Sequence, residues 1–222
     1  MWINDAEVSG LGQQLLAQVL SKAGIRLQRH FEGNWKRCLA GLKAGSIDFV
    51  ASAYITDQRK LFMQYTEEPL SNDPVHLFMW HSRQLKITDW QDLIGKRMVA
   101  LHGDSHGQRF DQFASKKLDV TEVNSVAQAL KMLATGRADF MAGGLHPWTL
   151  RVQAHGYKGR ILSSRKIIEN QPLHIGVAKN SRCRGQLSGV DQYLREIKRS
   201  EGYQQALQGS FDSYLLQQAV KK

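Results

Sequence analysis

The residues best suited to chemistry are Arg59 and a glycine-rich turn at Gly103-Asp104-Ser105. Arg59 ends the run Ile55-Thr56-Asp57-Gln58-Arg59, directly after the apolar stretch from Ile47 to Ala53. Thr56 can cap a helical turn and so place Arg59 inside it. Ligands of open α/β sheets bind at strand ends of this kind, and a guanidinium offers a planar, permanently charged fork to a carboxylate. The same arginine could instead pair on the surface with a nearby Asp or Glu. The second candidate lies in Leu101-His102-Gly103-Asp104-Ser105-His106-Gly107, between a strand and a helix starting near Gln108. Such a turn can cradle an anion with its backbone N–H groups, or be an ordinary loop with a capping serine. It is neither GxGxxG nor Walker A, so nucleotide binding has no support. There is no GxSxG, no Cys–His signature and no HExxH spacing, so no catalytic residue, metal or cofactor is assigned.

These candidates need elements to hold them. Trp35 to Ala44 reads as a helix stopped by Gly45, and Ile47 to Ala53 as a short buried strand. Upstream, Gly10-Leu11-Gly12 opens a helix with Leu11, Leu15, Leu16, Val19 and Leu20 along one face, ended by Gly24. Alternation of Ile25, Leu27, Arg29 and Phe31 predicts a half-buried strand. This β-α-β order predicts right-handed crossovers and mostly parallel sheets flanked by helices. The theme recurs: Leu-x-x-Leu-x-x-Gly-x-x-Asp occurs at Leu39, Leu42, Gly45 and Asp48, and again at Leu130, Leu133, Gly136 and Asp139. Turn-forming residues interrupt the pattern at Ser71-Asn72-Asp73-Pro74 and again near residues 170–173.

Composition narrows the classes. No stretch approaches the ~18 apolar residues of a membrane helix, and Met1-Trp2-Ile3-Asn4-Asp5 does not begin a signal peptide. The net charge of +10 comes from scattered basic residues without nucleic-acid motifs, so a basic surface that draws anions or aids solubility is favoured over nucleic-acid binding. Cys38 and Cys183 permit one disulfide at most, lack metal spacing, and are expected as two free thiols.

Trp35-Lys36-Arg37-Cys38-Leu39-Ala40-Gly41-Leu42-Lys43-Ala44-Gly45-Ser46-Ile47-Asp48, followed by Ile55-Thr56-x-x-Arg59, resembles the core signature of the bacterial extracellular solute-binding proteins of family 3. Tyr65 to Leu70, Ile87 to Ala100 and Leu173 to Asn180 are similar to further family segments in the same order. The resemblance implies a two-lobed α/β fold of the type II periplasmic-binding-protein kind, with hinge crossings at the interruptions near 71–74 and 170–173 and lobes of 1–71 with 174–222, and 74–170. It implies a monomeric periplasmic receptor that takes a small carboxylate, an amino acid or related organic acid, to an ABC permease. Arg59 would then grip the carboxylate, helped by Ser52 and Tyr54, while Gly103, Asp104 and Ser105 cap it from the other lobe. Trp35 would stack on the ligand, with Trp2 as an opposing wall. The resemblance begins inside the family's first strand, so an export signal and that strand are expected before Met1.

The sequence also departs from the family. An acidic residue that pairs with the ligand's α-ammonium usually lies five places after the equivalent of Asp139, and here that place is Gly144. Either Asp104 or Glu169 takes that part, or the ligand lacks the ammonium. Gly10-Leu11-Gly12 replaces the family's G-F-D but lies outside the expected ligand contacts. Tyr54 is bulkier than usual, and the interval from Asp48 to Arg59 is one residue tighter, implying a reshaped cleft. Cyclohexadienyl dehydratases share this fold, so an enzyme of that kind is one alternative and an orphan sensory module another.

Overall fold

The computed structural model describes residues 2–4, 7–30, 32, 34–201, 203 and 209, with side chains from Gly10 onward except Leu11. Its elements run β1 (Trp2–Asn4), β2 (Glu7–Ser9), α1 (Leu11–Lys22), α2 (Trp35–Ala44), β3 (Phe49–Ala53), α3 (Asp57–Lys60), β4 (Met63–Tyr65) and β5 (Ser71–Asn72). There follow β6 (Val75–Trp80), β7 (Arg97–Leu101), α4 (Gln108–Lys117), β8 (Asp119–Val123), α5 (Val126–Ala134), β9 (Met141–Gly144), α6 (Leu145–Ala154) and β10 (Ile161–Ser163). The last are β11 (Pro172–Ala178) and α7 (Leu187–Arg199). Two compact units result: Met1–Gly33, Arg37–Asn72 and Pro172–Lys222 in one, Asn34–Lys36 and Asp73–Gln171 in the other.

In the first unit β11 is the central strand, paired antiparallel with β3, β4 and β5. The parallel sheet expected here is not among the described ladders of this unit. The reason is connectivity: β11 arrives late in the chain and inserts between β3 and β4, running against both. Its Ile175 joins Leu15, Leu16, Val19 and Leu20 of α1 and Val190, Leu194 and Ile197 of α7 in one core. The predicted strand from Ile25 is absent over residues 25–30, and Phe31 lies outside the described residues. Instead Gly24, at φ 70°, turns the chain, and the Ile25 N–H donates to the Leu20 carbonyl at 2.8 Å. That closure satisfies a terminal carbonyl of α1. Ile25 and Leu27 then pack against the core without a ladder. Their alternation reports burial on one side, which a strand would also produce.

The second unit carries the predicted crossovers. Strand β7 pairs in parallel with β8 from Arg97↔Asp119 to Leu101↔Val123, and Met98 bridges in parallel to Phe140. Helices α4 and α5 make the connections. Beside them β6 pairs antiparallel with both β9 and β10. Ser125 starts α5 with a capping box to Gln128, and Gly136 ends it at φ 71°. Phe78, Val99, Leu130, Leu133, Trp148 and Ile161 share the core.

The repeated Leu-x-x-Leu-x-x-Gly-x-x-Asp device has one architecture and two sets of bonds. Asp48 accepts from Ser181 Oγ at 2.5 Å. Asp139 accepts from Arg97 Nη2 at 2.6 Å, Arg97 Nε at 3.1 Å and the Arg97 N–H at 2.8 Å. Among the described residues, Cys38 and Cys183 are free, no group of His, Cys, Asp and Glu could hold a metal, and no helix is long and apolar enough to cross a membrane. Burial, reinforced by Glu32, pushes the Cys38 thiol up to about 11.

Two consequences can be measured. Asp191, buried on α7, accepts from the Glu67 and Glu68 N–H groups at 2.9 Å each, closing the turn before β5. Asp191→Ala leaves two donors without their carboxylate and should lower the unfolding free energy by about 1–3 kcal/mol in chemical denaturation. Hydrogen bonding from Arg97 holds the Asp139 carboxyl below its ordinary range. A depressed folded-state pKa gives stability above the unfolded value that is lost as pH falls through the folded one. The melting temperature of Asp139→Asn should therefore decline less on acidification than that of wild type; parallel declines would refute the assignment.

Candidate functional site

The first unit builds its candidate site at the end of β3. Opposite β3, the ladder steps from His174↔Ala53 to Gly176↔Val50, so Ala51 and Ser52 share Ile175. This bulge puts Ser52 at φ 61°, in the left-handed region that a residue with a side chain rarely adopts. The Ser52 hydroxyl consequently lies against Gly12 in the first turn of α1. A Cβ on Gly12 would stand 2.5 Å from Ser52 Oγ and 3.3 Å from Ala51 Cβ. Gly12 was set aside as lying outside the ligand contacts, yet the strand end depends on its bareness. Its replacement of the family's usual residue was the available signal.

Two residues on, Tyr54 is buried and its carbonyl accepts from Arg59 Nη1 at 3.2 Å and from the Tyr65 hydroxyl at 3.5 Å. Thr56 caps α3 as predicted, accepting from the Arg59 N–H at 3.3 Å. Arg59 itself is 6% exposed, which rules out the solvated surface ion pair. Burial pushes the Tyr65 phenol up to about 12 despite the opposing effect of Arg59, so it remains a neutral donor at ordinary pH. A guanidinium taken out of water is costly unless it is hydrogen-bonded and meets negative charge. The Tyr54 carbonyl supplies part of that hydrogen bonding and fixes the orientation of the guanidinium.

In the second unit the Gly103–Ser105 turn follows β7. Gly103 has φ 81°, Asp104 is exposed, and its N–H donates to the Leu101 carbonyl at 3.1 Å. Ser105 Oγ donates to Asp111 Oδ2 at 2.5 Å and accepts from the Gly107 N–H at 3.3 Å. The His106 N–H donates to the other Asp111 oxygen at 2.9 Å. The Ser105 hydroxyl thus directs its proton into its own loop, and Asp111 fixes the turn. Trp35 begins α2 and is half-buried, while the side chain of Trp2, on β1, lies outside the described residues.

Gly144 ends β9 opposite Val75 of β6. A Cβ there would fall within the Asp73 carboxylate, 2.5 Å from its Cγ. Asp73 is 8% exposed, and its Oδ1 accepts from the His146 N–H at 3.2 Å. Burial raises the Asp73 carboxyl above its ordinary range, against the lowering effect of that hydrogen bond. The sequence marks Asp73 only as turn chemistry before Pro74, and nothing local in it announces that the carboxylate is buried. The neighbouring Gly143 is bare because the Trp148 indole occupies its side-chain volume. Of the acids proposed for the Gly144 part, Asp104 is exposed. Glu169 bridges to Val75, Glu169 Oε1 accepts from the Asn170 N–H at 3.1 Å, and its buried Oε2 has no hydrogen-bond partner among the described residues.

Comparison with known proteins adds the lineage. Among solved structures, the GluR0 ligand-binding core from Nostoc punctiforme, in complex with L-glutamate, is 20% identical over 93% of each chain, with a TM-score of 0.76. A mutant of ArgBP from T. maritima is 19% identical, covering 95% of this chain and 88% of that one, with a TM-score of 0.78. AbpA, an amino acid ABC transporter substrate-binding protein from Streptococcus pneumoniae bound to L-arginine, is 14% identical, covering 96% and 89%, with a TM-score of 0.78. These likenesses establish the two-lobed, periplasmic-binding-protein-like fold. No curated protein matches the sequence. The family model of the bacterial extracellular solute-binding proteins, family 3, matches residues 1–212, and the chain belongs to that family.

Proposed function

We propose that this chain is a receptor for a small carboxylate, an amino acid or a related organic acid, which it captures in the periplasm and presents as a monomer to an ABC permease. The observation that carries the proposal is Arg59. Its guanidinium is almost fully buried at a strand end, held by the Tyr54 carbonyl, on a turn capped by Thr56. A fixed, desolvated fork of five donors matches a carboxylate in two places, and the orientation cost is met before the ligand arrives. Solved proteins of the same fold with L-glutamate or L-arginine bound support the ligand class. Family membership supports the extracytoplasmic setting.

The role of Ser52 follows from its backbone. The bulge fixes Ser52 at the strand end with φ 61°, and in this reading its backbone N–H groups serve the second oxygen of the carboxylate. In the second unit, the Gly103–Ser105 turn would contribute backbone donors rather than the Ser105 hydroxyl, whose proton goes to Asp111.

A thermal-shift panel of L-amino acids and their ammonium-free carboxylate analogues tests the proposal. A ligand at a hundredfold excess over its dissociation constant should stabilise wild type by ~2.7 kcal/mol. Arg59→Ala should abolish the shift while retaining a cooperative melt. Arg59→Lys should weaken it by about tenfold or more, because an ammonium keeps the charge but not the fork. Undiminished binding by Arg59→Ala would overturn the reading, as would a panel without a hit on a cooperatively melting wild type.

A further inference from the structure

We propose that the second unit docks on an anionic phospholipid surface through one end of its sheet, where basic residues scattered along the sequence are brought together. This surface concerns a partner that the receptor reading does not name, and it is separate from the ligand. Family membership enters only as support for an extracytoplasmic setting beside a membrane.

Strand direction gathers the charge. Strands β7 and β8 run parallel, Phe140 just before β9 bridges in parallel to Met98, and β6 runs against both β9 and β10. The starts of β7, β8, β9 and β10 and the finish of β6 therefore share one end of the unit. Helices α4, α5 and α6 return the chain to that end, so their C-termini lie there too. Lys116, Lys117, Lys131 and Arg151 fall in those last turns. Arg83, Lys96, Arg97, Arg137, Lys158 and Arg160 stand beside the strand ends. Against these ten cations the strand starts set Asp119 and Asp139, and Asp139 is taken by Arg97. None of the other nine has an ion pair among the described residues. From residue 140 to 168 the sequence has five basic residues and no acid. The Gly103–Ser105 turn follows the other end of β7, so a surface held here leaves that turn uncovered.

Helix ends account for only part of this charge. Basic side chains favour helix C-termini, but each terminus offers about half a negative charge, so three of them offset about one and a half. Arg83 does serve in this way: its Nη2 donates to the Leu133 and Ala134 carbonyls at the end of α5, at 2.5 and 3.3 Å. Most of the surplus is left for something outside the unit. The guanidinium carbons of Arg83 and Arg160 lie 5.7 and 6.0 Å from the centroid of the Trp80 ring, and that of Arg160 lies 5.1 Å from the Tyr157 ring. Stacking of this kind steadies the arginines while leaving donors for phosphate oxygens. It also occupies Trp80 with guanidinium groups, where a nucleic-acid site would keep the ring for a base. Ile94, two residues before Lys96, and Leu162, two residues after Arg160, are 46% and 41% exposed. Apolar side chains among long-stemmed cations suit a headgroup layer: the apolar groups enter it and the charges stay at the phosphates.

The experiment is cosedimentation of the purified full chain with vesicles of equal parts phosphatidylglycerol and phosphatidylcholine, and with vesicles of phosphatidylcholine alone. Wild type should bind the first, lose that binding as salt rises, and ignore the second. Lys116→Gln, Lys131→Gln and Lys158→Gln together remove three exposed cations whose side chains make no hydrogen bond or ion pair among the described residues, so the melting temperature should hold. Vesicle binding should nevertheless weaken about tenfold or more. Lys43→Gln, Lys179→Gln and Arg199→Gln together lower the net charge by the same amount in the first unit, and should change binding by less than about threefold. Equal weakening by the two triple variants would overturn the proposal, as would equal binding to the two kinds of vesicle. A wild type that binds soluble polyglutamate but neither vesicle would overturn it in favour of an acidic protein partner. A wild type that binds none of the three would overturn it outright. Each of these outcomes leaves the receptor reading untouched, because that reading stands or falls on the thermal-shift panel.

Discussion

A guanidinium removed from water sets the terms for the first unit. Arg59 sits on a helix of only four residues, where fraying would let it swing into solvent, yet it is 6% exposed. Three local features hold it: the Thr56 cap, the Tyr54 carbonyl, and a Tyr65 phenol kept neutral by burial that shares that carbonyl. Behind them lies the bulge at Ser52, which sets where the strand stops and how the following turn departs. Behind the bulge lies Gly12, whose missing side chain leaves room for the Ser52 hydroxyl. Each step is a steric or hydrogen-bonding necessity imposed by the one after it. Strained backbone survives only where its surroundings over-determine it, and here the core helix α1 provides that determination.

The second unit holds a buried charge of opposite sign by other means. Asp73 is fixed by a strand register and a helix N-terminus, and the concession is made by Gly144. The repeated Leu-x-x-Leu-x-x-Gly-x-x-Asp device shows that the scaffolds share a plan whereas the charges they carry diverge. In both copies a glycine with positive φ ends the helix and an aspartate follows at the next strand. In one copy that aspartate takes a serine hydroxyl, in the other a bidentate arginine. Both aspartates fasten the frame.

Much of this was legible in the sequence because it rests on local rules. Capping residues, positive-φ glycines at helix ends and apolar stripes located α1, α2, α5 and the turn at Arg59. Failures came where local pattern and tertiary role part company. Residues 25–30 alternate like a strand because one side packs on the core, and ladder formation needs a partner that alternation cannot reveal. The direction of β3 against β11 depends on a segment more than a hundred residues away. Asp73 reads as turn chemistry because an Asp before Pro is common at interruptions, and nothing local tells whether its carboxylate faces water.

Glycine is where sequence reading loses most, and the reason is physical. A side chain announces its own chemistry, but a glycine announces only that something else needs the space or the conformation. At Gly24 and Gly136 the need is conformational, and the positive φ alone accounts for it. At Gly143 and Gly144 the need is spatial, set by the Trp148 indole and the Asp73 carboxylate. A side chain at position 144 would begin in the volume that the Asp73 carboxylate fills, so neither could take its place without the other moving. A bare position on one strand therefore says little by itself about what its neighbours place there. The volume it vacates has to be followed to whichever neighbour now fills it.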